Sequence, residues 1–378
     1  MATKAPDEVS AVVDELAEGR QMTDDNSTLV DEMADVADAL AEIRNHDLLA
    51  VDCEGVDLGR TGELTVLTMA TPDKTFIFDI LKLGKQVFDD GLCDILEDKT
   101  KEKLMFDCRG DADILHHQFQ VNLGGVLDLQ LLEVMHRRKS SLPLGTSTSV
   151  SRRSASGSRR STQTDDVESV YGLLRCVELY MGNKEMIKKK KSGTAMLEIN
   201  KGIWKIRPLS DILKSYCCID TSGLFSLYEK LKGVGDFLPR LRIASSRYAD
   251  YFRSMPVRTY GLYENHAYLP LDIIPDEGSA GLPFASTKCV GCRRLFPGEE
   301  FSKTQLRKGD QKCRVCKKVK LKSDVQKNRE DNWLRDEECT PPLYYSSDED
   351  RWTNPYEDDY CDRYNDDDYG GYFDDDDW

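Results

Sequence analysis

The sequence predicts an α/β protein: a mixed central sheet flanked by helices, followed by a small cysteine module and a charged tail. Three observations predict it. Across residues 28–235, short apolar runs of strand length alternate with stretches whose apolar residues recur at helical spacing. Two of the runs, Glu63–Ala70 and Lys74–Ile80, are joined by only Thr71-Pro72-Asp73, a turn that makes them an antiparallel pair. Charge is partitioned along the chain of 378 residues, whose net charge is −16. Residues 330–378 hold 19 acidic and 3 basic residues, whereas residues 1–329 balance at 49 of each; within them, residues 284–329 hold 14 basic and 4 acidic.

In chain order, residues 1–27 are polar and acidic without a period and read as a disordered N-terminus. Leu29, Met33, Val36, Leu40 and Ile43 step by four and three and predict an amphipathic helix. Leu48–Asp52 is the first strand, and the antiparallel pair follows it. Val87–Leu96 reads as helix, Lys103–Phe106 as a short strand, Gly110–Phe119 as helix, Val126–Asp128 as a short strand and Leu129–Met135 as helix. Residues 137–166 are rich in Ser, Thr and Arg without apolar period and read as a disordered insertion. Helical pattern resumes over Val167–Met181, and Lys188–Lys191 is a basic run: a localisation signal, a phosphate contact or a solvated face. Leu209–Leu231 and residues 236–254 are further helices, and the Pro- and Gly-containing stretch 255–287 reads as linker.

Mean hydropathy is −0.54. No run of about 18 apolar residues exists, so no membrane span is expected. MATKAPDEVS lacks the apolar core of a secretory signal, and the 12 Cys are scattered apart from one cluster. Both features predict an intracellular protein, nuclear or cytoplasmic, with reduced or metal-bound thiols.

The chemistry begins at LLAVDCEG. Residues two apart on a strand share a face, so Asp52 and Glu54 project together from the end of an apolar strand. Two carboxylates held close and desolvated need a cation, and hard divalent ions prefer such ligands. Alone, the pair also fits a solvated strand end. Further acids stand where apolar elements do not call for them. Asp111 opens the helix GDADIL, with Asp107 and Asp113 as neighbours that a shift of register would substitute for it. Tyr216 and Asp220 lie four apart, one helical turn, on a mostly apolar helix. Asp128 follows GGVL and suits a structural role as well. Asp52, Glu54, Asp111 and Asp220 are enough to hold two Mg²⁺ or Mn²⁺ ions for in-line displacement at phosphorus. Tyr216, with an unperturbed pKa of about 10, would orient the attacking water and not deprotonate it.

These residues resemble the DEDD superfamily of 3′→5′ exonucleases, the subclass with tyrosine that includes RNase D, and most closely its Egalitarian-like branch. VDCEGVDLGRTGELTVLTMA, with Gly55, Gly59, Arg60 and Gly62, resembles the first motif; KLMFDCRGDADIL the second; WKIRPLSDILKSYCCID, with Trp204, Arg207, Pro208 and Leu209, the third. The likeness covers residues 28–235, and the motif frame places the catalytic aspartate at Asp111. Phe106 stands where the branch usually has His, and Cys217 and Cys218 where it has small residues. The resemblance implies a ribonuclease H-like fold. It also implies hydrolysis of single-stranded RNA or DNA from the 3′ end by two metal ions, releasing nucleoside 5′-monophosphates. The branch includes members that lost catalytic acids, so the competing reading is an RNA-binding adaptor with little or no activity.

Residues 288–329 form a basic module. Cys289-x₂-Cys292 and Cys313-x₂-Cys316, with 20 residues between, predict a tetrahedral structural Zn²⁺ site that supplies much of the module's folding energy. Its Arg293, Arg294, Lys303, Arg307, Lys308, Arg314, Lys317 and Lys318 suit phosphates, and docking of a protein partner is the other reading. The acidic, Tyr-rich tail within 330–378 cannot form a core. It reads as a solubilising segment or as an intramolecular competitor for nucleic acid.

Overall fold

A computed structural model describes residues 26–338, apart from 141–166 and short gaps at 201, 234–236, 257–260, 264–265, 277–278 and 280–283. The sequence readings of residues 1–25, 141–166 and 339–378 lie outside the described residues.

Six strands make one mixed sheet: β1 (Ser27–Val30), β2 (Leu48–Val56), β3 (Glu63–Ala70), β4 (Thr75–Asp79), β5 (Glu102–Met105) and β6 (Val126–Asp128). Their order is β1-β4-β3-β2-β5-β6. The β2–β3–β4 meander is antiparallel, and β5 and β6 then add parallel to β2. This is the ribonuclease H-like arrangement, with β1 as an extra edge strand parallel to β4. Side-chain alternation divides the sheet. Leu67, Phe76 and Phe78 join the main core with α1 (Met33–Arg44), α2 (Arg109–Phe119) and α3 (Leu129–Ser140). Val66 and Ile77 face a second cluster with Trp204, Leu209, Leu213 and Tyr216. With both faces covered, every residue of β3 and β4 except Glu63 is buried, Thr65, Thr68, Thr75 and Asp79 included.

The long helices after the sheet are α4 (Lys184–Ile199), α5 (Asp211–Leu231), α6 (Leu238–Arg253) and, beyond the hairpin of β7 (Thr287–Lys288) and β8 (Leu295–Phe296), α7 (Arg314–Glu338). The contacts divide the chain into Met1–Val319, which includes the cysteine module, and Lys320–Trp378, whose described residues are helical.

Several expectations are corrected. Leu29 is paired with Ile77 in β1, so the first helix begins at Met33; a four-residue strand next to a helix mimicked helical spacing. Residues 137–140 continue α3, and residues 330–338 continue α7, so neither belongs to an unstructured segment. Residues 167–172 are extended, with Ser169 bridged to Tyr268; helix begins at Leu173. The supposed linker 255–287 contributes Leu269, Ile273 and Ile274 to the main core. The basic run Lys188–Lys191 lies inside α4, capped by Asn183, whose side chain accepts from the Glu185 and Met186 amides.

Candidate active site

Strand β2 delivers the first two acids. Asp52 sits opposite Thr68 and Glu54 opposite Val66, and the register shifts directly after Glu54. The bulge there needs Gly55, because a Cβ would collide with the Glu63 carbonyl of β3. Arg60 pins the loop that follows. Its backbone amide donates to Asp113 Oδ2 at 2.7 Å and its Nη2 to Oδ1 at 2.7 Å. The same guanidinium donates to the carbonyls of Phe252 and Met255, beyond the core of α6, at 2.6 and 2.8 Å.

That ion pair decides among the acids of the second motif. Asp113 is fully buried against Arg60. Asp107 accepts from Arg109 at 2.5 and 2.6 Å. Asp128 accepts from the Cys108 amide at 2.9 Å and from the Gln130 amide at 2.9 Å, capping α3. All three are engaged by neighbouring donors, whereas Asp111 is 5 % exposed. Its carboxylate accepts from the Cys53 thiol, so Cys53 does more than pack.

Helix α5 delivers the rest. Arg207 donates to Asp79 at 2.5 and 2.9 Å and to the Trp204 carbonyl at 2.9 Å, fixing the approach to the helix. Trp204 is buried edge-on to Tyr216, with ring centres 6.1 Å apart. One turn on, Asp220 reaches the acids of β2. Ligand oxygens of Asp52, Glu54 and Asp220 lie within 4.8 Å of one another. Asp111 stands outside that trio, near enough for its charge to act on Asp52.

The electrostatics are those of anions short of a cation. Burial, then Glu54, Asp111 and Asp220, push the Asp52 carboxyl well above the usual range. Burial and then Asp220 push Glu54 up to about 8. Burial and then Asp107 push Asp111 up to about 7. Burial and then Asp220 raise the Tyr216 hydroxyl, which therefore keeps its proton. Among the described residues, Asp52 Oδ2 and Asp111 Oδ1 are buried without a hydrogen-bond partner. Such atoms suit metal coordination, so the donor set fits a divalent ion.

Sequence reasoning missed one member of the site. Lys190 of α4 is only 8 % exposed, and its Nζ donates to Asp220 at 2.8 and 3.0 Å and to the Tyr216 hydroxyl at 3.3 Å. The readable signal was Asn183 as a cap, with Met186, Lys190, Gly193 and Leu197 recurring at steps of three and four.

The four cysteines also come together. Their buried Sγ atoms lie within 4.8 Å of one another, consistent with the ~3.8 Å edge of a tetrahedron with Zn–S bonds of ~2.3 Å. Gly291 is required, since a Cβ there would crowd Cys316 Sγ. None of the described cysteines is in a disulfide. Of the basic residues expected to meet phosphates, Arg294 is paired with Asp272 and Arg314 with Glu300, whereas Arg293, Lys303, Arg307 and Lys308 are exposed.

An acidic cluster on the second strand of such a sheet, completed from the helices that flank it, defines a nuclease-type protein. Residues 28–236, more than half of the chain, match the family model described as 3′-5′ exonuclease, and the chain belongs to that family, of the DEDD type. It is 31% identical over 189 residues to human (Homo sapiens) piRNA biogenesis protein EXD1, a match covering 50% of this chain and 33% of that protein. The mouse (Mus musculus) protein of the same name is 39% identical over 97 residues, 26% of this chain and 17% of that one. The chain thus spans a third or less of the length of these curated relatives. Among solved structures, Trypanosoma brucei RNase D in complex with GMP is similar at 24% identity and a TM-score of 0.49, covering 62% of this chain and 66% of that one. Among the described residues, no helix is long and apolar enough to cross a membrane.

Proposed function

We propose that the protein is a 3′→5′ exonuclease that removes nucleoside 5′-monophosphates from single-stranded nucleic acid. The observation that carries the reading is the convergence of Asp52, Glu54 and Asp220 within 4.8 Å, with the unpartnered oxygens Asp52 Oδ2 and Asp111 Oδ1 beside them. Asp52, Glu54, Asp111 and Asp220 would hold two Mg²⁺ or Mn²⁺ ions. Bound there, such ions lower the pKa of a water and stabilise charge on the leaving 3′-oxygen. The chain's own residues do the positioning. Tyr216, protonated, donates a hydrogen bond to the water and leaves the water's proton turned toward the acids. The Trp204 ring holds the tyrosine from one side and α4 from the other. RNA is the first substrate to test, because the relatives are piRNA biogenesis proteins by name. The cysteine module would hold a structural Zn²⁺, and its exposed Arg293, Lys303, Arg307 and Lys308 would contact phosphates. Single-stranded RNA and DNA labelled at the 5′ end and incubated with Mn²⁺ test the reading. A ladder of shortened products is expected, and none with Asp52→Asn.

One observation favours a second reading, a nucleic-acid adaptor that does not turn over: Lys190 already occupies both oxygens of Asp220. An adaptor would bind the same oligonucleotides and return them at full length. A protein partner docked through the cysteine module belongs with that reading.

A further inference from the structure

Lys190 is a cation built into an anionic site. Its Nζ lies 2.8 and 3.0 Å from the two Asp220 oxygens and 3.3 Å from the Tyr216 hydroxyl, and stands 4.6 Å over the tyrosine ring. One ammonium therefore engages both residues that α5 contributes. Basic neighbours Lys188 and Lys191 are exposed, so the run is not uniformly solvated: one lysine in it is turned inward.

The helix that carries Lys190 is seated closely. A Cβ at Gly193, one turn beyond Lys190, would fall inside the Tyr216 ring, and a Cβ at Gly223 of α5 would meet the Met186 methyl. The two glycines let α4 and α5 approach at this point, which brings the root of the lysine near the acids. The side chain has four rotatable bonds, so the ammonium can leave without movement of the helix.

A divalent ion shared by Asp52, Glu54 and Asp220 needs an Asp220 oxygen at about 2.0–2.6 Å. Both Asp220 oxygens already accept from Lys190. Two cations on one buried carboxylate repel each other strongly. We propose that Lys190 is a resident counter-cation of this site, and that a divalent ion binding at Asp220 must displace it. The inference rests on the metal-ion reading given above and adds a threshold to it: the ion at Asp220 binds in exchange for Lys190, more weakly than it would with the lysine gone.

The test is Mn²⁺ titration of the chelator-stripped full chain by calorimetry, with free Mn²⁺ counted by electron paramagnetic resonance. Lys190→Met keeps the length and removes the charge; Lys190→Arg keeps the charge. The expected result is Mn²⁺ affinity raised at least tenfold in Lys190→Met and not raised in Lys190→Arg. Equal affinity in wild type and Lys190→Met overturns the proposal while leaving the metal site intact. Absence of Mn²⁺ binding in wild type and both variants overturns the metal-ion reading and this inference with it. A measurement on the wild-type chain guards against a misfolded variant. Amine acetylation, mapped by mass spectrometry, should spare Lys190 without Mn²⁺ and modify it with saturating Mn²⁺. Protection that Mn²⁺ does not change overturns the proposal.

Discussion

At the scale of single residues, the acids of the site store unfavourable charge that a metal ion would relieve. Glu54 shows the sign. Its carboxyl titrates at about 8 in the fold against a usual 4.5, because it is buried beside Asp220. Between those values the folded protein holds a proton that the unfolded chain has released, so stability falls as pH rises from about 4.5 to 8. We expect the melting temperature in chelator to fall across that window, and Glu54→Gln to flatten the fall while abolishing turnover. Thermal melts at several pH values, with and without Mn²⁺, check this. Tyr216→Phe removes the hydroxyl that orients water and leaves the ring packed on Trp204; turnover should drop by roughly 10²-fold with Mn²⁺ affinity preserved. Asp52, Glu54, Tyr216 and Asp220 were legible in the sequence because strand and helix periodicity fixes which neighbours share a face. Choosing Asp111 over Asp107 and Asp113 was not legible from spacing alone, since only the arginine partners of the other two distinguish them.

At the scale of elements, the site depends on two ties between loops and helices. Arg60 binds the loop after β2 to α2 through Asp113 and to the end of α6. Arg60→Ala would remove the guanidinium from a fully buried carboxylate that keeps the residue-60 amide and His117 beside it, and should destabilise the fold by roughly 3 kcal/mol in denaturant titration. The glycine contact of α4 is the other tie. Gly193→Ala should push Tyr216 off its position, cutting turnover far more than stability, which paired activity and melting measurements would separate. The meander and β6 could be read from turn chemistry and apolar runs. Helix α4 is marked by the Asn183 cap and by helical spacing, but the role of Lys190 is not legible, because four successive lysines conceal the one turned inward and its partner Asp220 lies 30 residues away.

At the scale of the whole molecule, the cysteine module belongs to the same unit as the sheet. Arg294 of the module pairs with Asp272 and lies 4.4 Å over the Tyr251 ring; Arg109, two residues before Asp111, lies 5.7 Å over the same ring. The CxxC spacing revealed a metal module, but not this docking, which joins residues far apart in sequence. Cys313→Ser should therefore lower the melting temperature of the entire unit in one transition and reduce turnover, although none of the four module cysteines is among the acids' neighbours. A separate low-temperature transition in calorimetry would contradict the coupling. Whether the acid cluster cuts nucleic acid from the 3′ end is decided by a single assay. Purified full-length chain is incubated with 5′-labelled single-stranded RNA and Mn²⁺, beside the same RNA blocked by a 3′-phosphate and beside Asp52→Asn. A ladder descending one nucleotide at a time from the free 3′ end is expected, and none with the variant. Oligonucleotide bound but returned at full length by the Mn²⁺-loaded protein would contradict it.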